Sequence, residues 1–351
     1  MESITLQQFI RMMVQYPSLI ITVVLTLAVI FVNGWTDAPN AIATCITTRA
    51  IRPRPAILMA AVCNFAGLLV MTAINQQVAE TIYNMVDFSG NASEALIALC
   101  ASLVAIVTWA VLASKFGIPT SESHALIAGL SGAAIAMHGS LAGINGAAWI
   151  KVIYGLLLST FLGFALGWLF AKLIEWLCRG MDRGATRPFF RYAQIFAGAG
   201  AAFMHGAQDG QKFMGVFLLG MFLARGQSQA VAVTVPLWLM ILCAGVMGLG
   251  TSVGGMNIIK EVGLGMVKLE DYQGFASDMA ATVCLALSTF TGLPVSTTHT
   301  KTTSIMGVGA ARSMKHVNWS TVKDMVLTWV LTFPGCGLMS FLMVKLFMLV
   351  F

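Results

Sequence analysis

Long apolar runs alternate with short polar connections along the whole chain. A run of roughly 20 apolar residues is long enough to cross a bilayer as an α-helix. No stretch between the runs is long enough to form a separate soluble domain. The pattern predicts an all-α polytopic membrane protein with about ten spans, at 17–45, 55–75, 94–115, 118–138, 149–176, 192–223, 230–252, 272–291, 293–312 and 320–350.

Composition and charge agree with this fold class. Hydrophobic residues make up 58% of the chain and charged residues only 10%, which is typical of a protein dissolved in lipid. The net charge of +6 comes from basic residues in alternate loops, as the positive-inside rule predicts, and does not indicate a nucleic-acid partner. The rule places Arg179, Arg183, Arg187 and Arg191 in the cytoplasm. We therefore expect a multi-pass protein of the cell membrane with both termini outside the cytoplasm.

The chain contains an internal repeat. GIPTSESHALIAGLSG, from Gly117, matches GLPVSTTHTKTTSIMG, from Gly292, at an offset of 175, with five identities in 16 positions. At an offset of 172, NGWTDAPN from Asn33 matches HGAQDGQK from His205. An odd number of spans in each half, five, would invert the second half relative to the first. We predict two inverted transmembrane repeats, 1–176 and 192–351, joined by a basic cytoplasmic linker, 177–191.

Each repeat carries residues that can interrupt a helix inside a span. Gly34 and Pro39 lie in the first copy, and Gly206 and Gly210 lie in the second. An interruption frees backbone amides and carbonyls, which survive at membrane depth only where they face protein or a wet cavity. We therefore expect broken helices or re-entrant segments at the midplane, each marking a site or a hinge.

The second pair of motifs is rich in hydroxyl groups. Gly117 and Pro119, like their counterparts in the second copy, are typical of one segment ending and a helix beginning. A helix N-terminus offers free amides and the positive end of the helix dipole, which suit an oxyanion. Five hydroxyls lie beside these predicted helix starts: Ser121, Ser123, Ser296, Thr297 and Thr298.

Several charged side chains lie inside or beside the predicted spans. An ionised group at the bilayer centre costs about 2.5 to 3.5 kcal/mol, so such residues usually mark a pathway. We interpret Asp37 and Asp209 in this way; the alternative is a structural ion pair between Asp209 and Lys212. Three charged residues near segment ends fit either a functional role or simple snorkelling and capping: Glu122, Asp278 and Lys301.

Histidines complete the polar set. His124 and His299 occupy equivalent positions of the repeat. They suit a proton relay or an anion contact, and equally a structural hydrogen bond to a neighbouring carbonyl. His205 opens the second copy of the aspartate motif and is a third relay candidate.

Together these motifs resemble the duplicated signatures of the PiT inorganic phosphate transporter family. The resemblance rests on NGWTDAPNAIATCITTRA, HGAQDGQKFMG and the paired P-x-S-x-[ST]-H segments, and covers essentially the whole chain. It implies a secondary symporter that imports inorganic phosphate with Na⁺ or H⁺, or as a metal-phosphate complex. It also implies an inverted-repeat fold and a homodimer. The cation is a co-substrate, and we expect neither enzymatic activity nor a bound cofactor.

The resemblance also assigns residues to roles. We assign cation or proton coupling to Asp37 and Asp209, with Asn33 and Glu122 beside them. Phosphate binding is assigned to Asn40, Ser121, Ser123, Ser296, Thr297, Thr298, Gln208 and Lys212.

This chain departs from the family signature at three positions. Thr36 and Gln208 replace an asparagine before each aspartate, and Lys212 replaces the last asparagine of the second copy. A lysine there would supply a fixed positive charge in place of a bound sodium ion, so the sodium stoichiometry stays open.

Other functions fit the sequence less well than phosphate symport. A permease of the same fold for sulfate or another oxyanion is the nearest alternative, although a carboxylate accepts a hydrogen bond only from a protonated anion such as phosphate. A channel needs no duplicated broken helix. An intramembrane phosphatase or protease would use serine and histidine, but Ser121 and His124 lie only three residues apart along one helix start, and no oxyanion-hole glycine loop is evident. No phosphate-binding loop of the ATPase type is present in the sequence.

Overall fold

The computed structural model describes residues 4–88, 91–116, 120–226 and 234–350, which form helices joined by short connections. The all-α class predicted from the sequence is confirmed. The helices are α1 (Leu6–Gln15), α2 (Pro17–Thr36), α3 (Pro39–Thr47), α4 (Pro53–Ile74), α5 (Gln77–Tyr83), α6 (Ala92–Lys115), α7 (Glu122–His138), α8 (Gly146–Leu177), α9 (Arg183–Ala224), α10 (Leu237–Val253), α11 (Met256–Lys260), α12 (Asp271–Phe290), α13 (Thr297–Arg312) and α14 (Trp319–Val350).

Five helical segments of the described chain are long and apolar enough to cross a membrane, with α2 and α3 counted together. The helix α10 is apolar but shorter, with 17 residues. The helices α7 and α13 have only 17 and 16 residues and bury most of their side chains in protein. The apolar helices therefore surround a polar interior built from α3, α7, α9, α12 and α13.

The predicted break in the first repeat is confirmed. The helix α2 ends at Thr36, and α3 begins at Pro39. The amides of Asp37 and Ala38 both donate to the carbonyl of Asn33, at 2.9 and 3.2 Å. Pro39 has no N–H to continue the ladder, but its fixed φ suits the first turn of a new helix.

The predicted break in the second repeat is wrong. The helix α9 runs without interruption through Gly206 and Gly210. These glycines instead permit close packing on α4, because a Cβ at Gly206 would collide with the backbone of Asn64 and a Cβ at Gly210 with the side chain of Leu68. The same helix begins at Arg183, so much of the predicted linker 177–191 is helical.

The two hydroxyl-rich segments begin helices later than predicted. The helix α7 starts at Glu122 and α13 at Thr297, each with a serine as its N-cap. Residues 293–296 before α13 are not helical. Gly117 and Pro119, the residues predicted to shape the first segment, lie outside the described residues.

Helix packing is reciprocal between the two repeats. The helix α7 packs against α14, and its counterpart α13 packs against α8; α2 packs against α10, and α9 packs against α4. The last helices of the two repeats, α8 and α14, each have 32 residues. Such exchanged packing is what an internal two-fold axis produces. The inverted orientation of the repeats in the membrane stays a prediction.

Two large cavities flank the polar interior at opposite ends of α8 and α12. One, of about 780 Å³, lies beside Thr48, the C-terminal end of α8 and the N-terminal end of α12, and includes Arg179 and Arg187. The other, of about 670 Å³, lies beside α5, the N-terminal end of α8 and Gly292 after α12. The polar interior therefore lies between these two cavities.

Candidate functional site

The N-termini of α7 and α13 meet in the interior. Ser121 Oγ accepts from the amide of His124 at 3.3 Å, and Ser296 Oγ accepts from the amide of His299 at 3.1 Å. Each serine therefore caps its own helix. The Ser296 hydroxyl also donates to the Ser121 hydroxyl at 2.8 Å. Two helix ends that are 175 residues apart in the sequence thus point at each other.

Three groups that suit a cation lie beside these helix ends. Ligand atoms of Asp37, His205 and Asp209 all lie within 4.8 Å of one another, and the three residues are buried. Thr297 Oγ1 lies 3.4 Å from Oδ2 of Asp37 and 3.0 Å from Oδ2 of Asp209. The break after α2, the middle of α9 and the start of α13 therefore bring two carboxylates and a hydroxyl to one place.

The first aspartate is held by neutral donors. Asn40 Nδ2 donates to Asp37 Oδ1 at 2.7 Å and to Thr298 Oγ1 at 3.2 Å. The Thr298 hydroxyl also donates to Asp37 Oδ1. Asn40 can reach both because α3 begins next to the break and turns its first residues toward α13.

The second aspartate is held by a lysine on its own helix. Lys212 Nζ donates to Asp209 Oδ1 at 2.6 Å and to Ser123 Oγ at 2.7 Å, and also to the carbonyl of Val295 before α13. Both side chains of the ion pair have no solvent exposure. Asp209 and Lys212 do form the ion pair of the alternative interpretation, and the pair lies at the candidate site.

The remaining predicted coupling residues lie close by. Asn33 Nδ2 donates to Asp209 Oδ2 at 3.3 Å. Glu122, the first residue of α7, accepts a hydrogen bond from the hydroxyl of Thr36 at the end of α2. Its side chain is buried, so the snorkelling interpretation of Glu122 is wrong.

The histidines have different surroundings. His205 Nδ1 lies 2.9 Å from Asn64 Oδ1, and its Nε2 lies 3.3 Å from Asp209 Oδ2. The rings of His124 and His299 instead contact each other edge to face, with centroids 4.3 Å apart. His299 also stacks on Trp329, with centroids 3.6 Å apart. His205 belongs to the carboxylate cluster, whereas the other two pack among aromatic rings.

Gln208 lies apart from the cluster. Its amide donates to Thr289 Oγ1 at 3.3 Å and to the carbonyl of Leu293 at 3.0 Å. These contacts join α9 to the end of α12 and to the segment before α13. Neither contact involves the hydroxyls at the two helix starts, and the role of Gln208 in phosphate binding stays a prediction.

A second buried ion pair extends the polar interior. Lys301 Nζ pairs with Asp278 and donates to Thr44 Oγ1 at 3.1 Å and to the carbonyl of Ala41 at 3.2 Å. Asp278 and Lys301 are 0% and 3% exposed, so their interpretation as snorkelling residues is wrong. Sequence reasoning missed the role of Thr44 altogether; its only signal was a hydroxyl on α3, two turns after Asp37.

Many buried polar atoms around the site make no hydrogen bond within the described chain. Buried polar groups are normally satisfied, and a cluster of exceptions is typical of a place that binds something else. The unpartnered atoms near the helix ends are Asn33 Oδ1, Asn40 Oδ1, Glu122 Oε2, Gln208 Oε1, both ring nitrogens of His124, and Nε2 of His299. The arrangement can therefore offer hydroxyls and helix amides to an anion, and carboxylates and amide oxygens to a cation.

The comparisons with known proteins agree with this chemistry. Residues 33–340 match the family described as the phosphate transporter family. The chain belongs to the phosphate transporter family. A probable low-affinity inorganic phosphate transporter of Bacillus subtilis is 38% identical over 90% of this chain and 92% of its own. One from Rhizobium meliloti is 35% identical over 93% of this chain and 95% of its own.

A solved structure shares the fold. The sodium-dependent phosphate transporter matches 95% of this chain and 100% of its own with a TM-score of 0.86, at 23% sequence identity. Membership of the phosphate transporter family, together with the apolar helices, makes this chain a multi-pass membrane protein. The resemblance stated from the sequence motifs is confirmed.

Proposed function

We propose that this chain imports inorganic phosphate together with a monovalent cation, Na⁺ or H⁺, by alternating access. The meeting of two capped helix N-termini beside two buried carboxylates is the observation that carries the proposal. Helix amides and hydroxyls favour an oxyanion, and the carboxylates favour the cation that accompanies it. Family membership and the names of the relatives support phosphate as the substrate.

Charge explains why a cation must accompany phosphate. Phosphate carries between one and two negative charges at neutral pH, and each charge moved against the membrane potential costs about 2.3 kcal/mol per 100 mV. We assign the anion to the hydroxyls at the two helix starts. We assign the cation, or the protons that phosphate carries, to the cluster around Asp37. The phosphate-binding hydroxyls are Ser121, Ser123, Ser296, Thr297 and Thr298.

Alternating access would connect this site with one flanking cavity at a time. Within the described chain, a cavity next to the cluster, between Asn40, His205, Thr297 and Lys301, measures about 10 Å³, about the size needed for one water molecule. The hydroxyls of Ser121 and Ser296 also contact each other directly. Phosphate binding between them therefore requires the starts of α7 and α13 to separate. We further propose that the cavity beside Arg179 faces the cytoplasm and that both termini lie outside. The homodimer implied by the resemblance stays a prediction.

Counterflow of labelled phosphate in proteoliposomes, with Na⁺ and pH gradients imposed separately, tests this function. We expect saturable uptake that one of the two gradients drives uphill. Sulfate that competes equally with phosphate would favour the oxyanion permease, because a carboxylate only repels an anion without a proton. Non-saturating currents would favour a channel, and release of phosphate from lipid phosphates by the purified protein would favour an enzyme.

A further inference from the structure

Asn40 and Lys212 occupy equivalent positions of the two repeats and make equivalent contacts. Asn40 donates to the aspartate three residues before it, at 2.7 Å, and to Thr298 on α13, at 3.2 Å. Lys212 donates to the aspartate three residues before it, at 2.6 Å, and to Ser123 on α7, at 2.7 Å. Ser123 and Thr298 are themselves equivalent at the offset of 175. One contact set is therefore made twice, once by a neutral amide and once by an ammonium group.

The ammonium group has the surroundings of a bound metal cation. Lys212 Nζ is buried and touches a carboxylate oxygen, a hydroxyl oxygen and the backbone carbonyl of Val295. Carboxylate, hydroxyl and carbonyl oxygens are the ligands that hard cations take from proteins, and carbonyls of non-helical segments coordinate coupling ions in transporters. Lys212 thus places a tethered positive charge at a position built for a cation.

The two aspartates consequently differ in charge balance. Asp209 has the Lys212 ammonium as a fixed counterion. Among the described residues, no lysine or arginine pairs with Asp37; its hydrogen bonds come from the neutral donors Asn40, Thr297 and Thr298, and a ring nitrogen of His205 lies within 4.8 Å. Lys301 is committed to Asp278. A buried carboxylate without a fixed counterion needs a proton or a mobile cation, so the site is asymmetric although its backbone is repeated.

We propose that Lys212 is a built-in cation that neutralises Asp209 throughout transport. The second repeat then has no exchangeable cation at this position, and the coupling cation binds at Asp37. This inference rests on the proposed function and adds the number and location of the exchangeable charges. It also gives different roles to Asp37 and Asp209, which occupy equivalent positions of the two repeats.

A measurement of the net charge that moves with each phosphate tests the inference, whichever cation is coupled. This charge is obtained from the reversal potential of labelled phosphate flux in proteoliposomes. Lys212→Asn copies the neutral amide of the first repeat, so we expect one additional monovalent cation to accompany each phosphate. The double variant Asp209→Asn with Lys212→Asn removes both charges together and should keep the wild-type ratio. Lys345→Gln, an exposed lysine in α14, is the matched control and should also keep it.

Each outcome decides the matter. An unchanged ratio in Lys212→Asn, with phosphate flux retained, would overturn the inference. If that variant does not fold, the double variant decides: loss of a coupled cation there would mean that Asp209 carries an exchangeable cation, which also overturns it. Failure of the proposed function looks different, because the wild-type protein itself would then show no phosphate counterflow.

Discussion

Asp37→Asn is the most direct perturbation of the proposed coupling site. The substitution keeps the shape of the side chain and removes its charge. Asp37 Oδ1 accepts hydrogen bonds from Asn40 and Thr298, and an asparagine oxygen in its place can still accept both. The helix break at this position depends on Pro39 and on the carbonyl of Asn33, which the substitution does not touch. We therefore expect the fold to survive.

The loss of cation affinity follows from Coulomb's law. At a separation of about 4 Å and an effective dielectric constant of about 20, a unit charge pair is worth about 4 kcal/mol. That energy corresponds to roughly a thousandfold in the cation dissociation constant. Asp209 does not make up for the loss, because Lys212 already balances its charge. Uptake driven by the cation gradient should consequently fall to background at ordinary cation concentrations.

The assay compares gradient-driven phosphate uptake with thermal unfolding of the same purified protein. We expect Asp37→Asn to lose uphill uptake while its unfolding temperature stays close to that of the wild type. Asp324→Asn, an exposed aspartate in α14, is the matched control and should change neither. Wild-type uptake by Asp37→Asn would refute the assignment of the coupling cation to this carboxylate.

Three further changes test the surroundings of the site. Lys301→Met leaves Asp278 buried without its partner and should lower the free energy of unfolding by about 3 to 5 kcal/mol. Adding Asp278→Leu should restore most of that free energy, and thermal unfolding measures both changes. Gly206→Ala should lower the unfolding temperature, because its Cβ meets the backbone of α4; an unchanged temperature would contradict this packing. Oxidation of Ser121→Cys paired with Ser296→Cys should stop phosphate uptake, and a reductant should restore it, with each single variant as control.

The sequence predicts the site best where the repeat itself carries the information. Ser121 and Ser296 share one motif at a fixed offset, and an internal two-fold axis brings equivalent helix ends together. Asp37 and Asp209 are brought together in the same way. Pro39 marks the break in the first repeat, because proline is tolerated in the first turn of a helix but not in its interior. Motif spacing and proline chemistry are therefore sufficient to place these residues at the site.

Features that depend on long-range packing escape such reasoning. A glycine such as Gly206 fits a helix break and a close helix contact equally well in a sequence, and only the position of α4 decides between them. The pair of Asp278 and Lys301 joins two helices and also contacts Thr44 of a third, so no local pattern in the sequence predicts it. Gln208 matches a motif position, yet its contacts lie with Thr289 and Leu293.

Reciprocal packing also constrains how the site can open. The helix α7 packs on α14 of the other repeat, and α13 packs on α8. A movement of one whole repeat against the other would break both contacts, including the close approaches of Gly132 to Gly337 and of Gly307 to Phe164. A movement that keeps α7 with α14 and α13 with α8 preserves both of these contacts and breaks the one between Ser121 and Ser296. We therefore expect the moving bodies to follow these packing partners and to combine helices from both repeats, with the boundary between them at the proposed phosphate site.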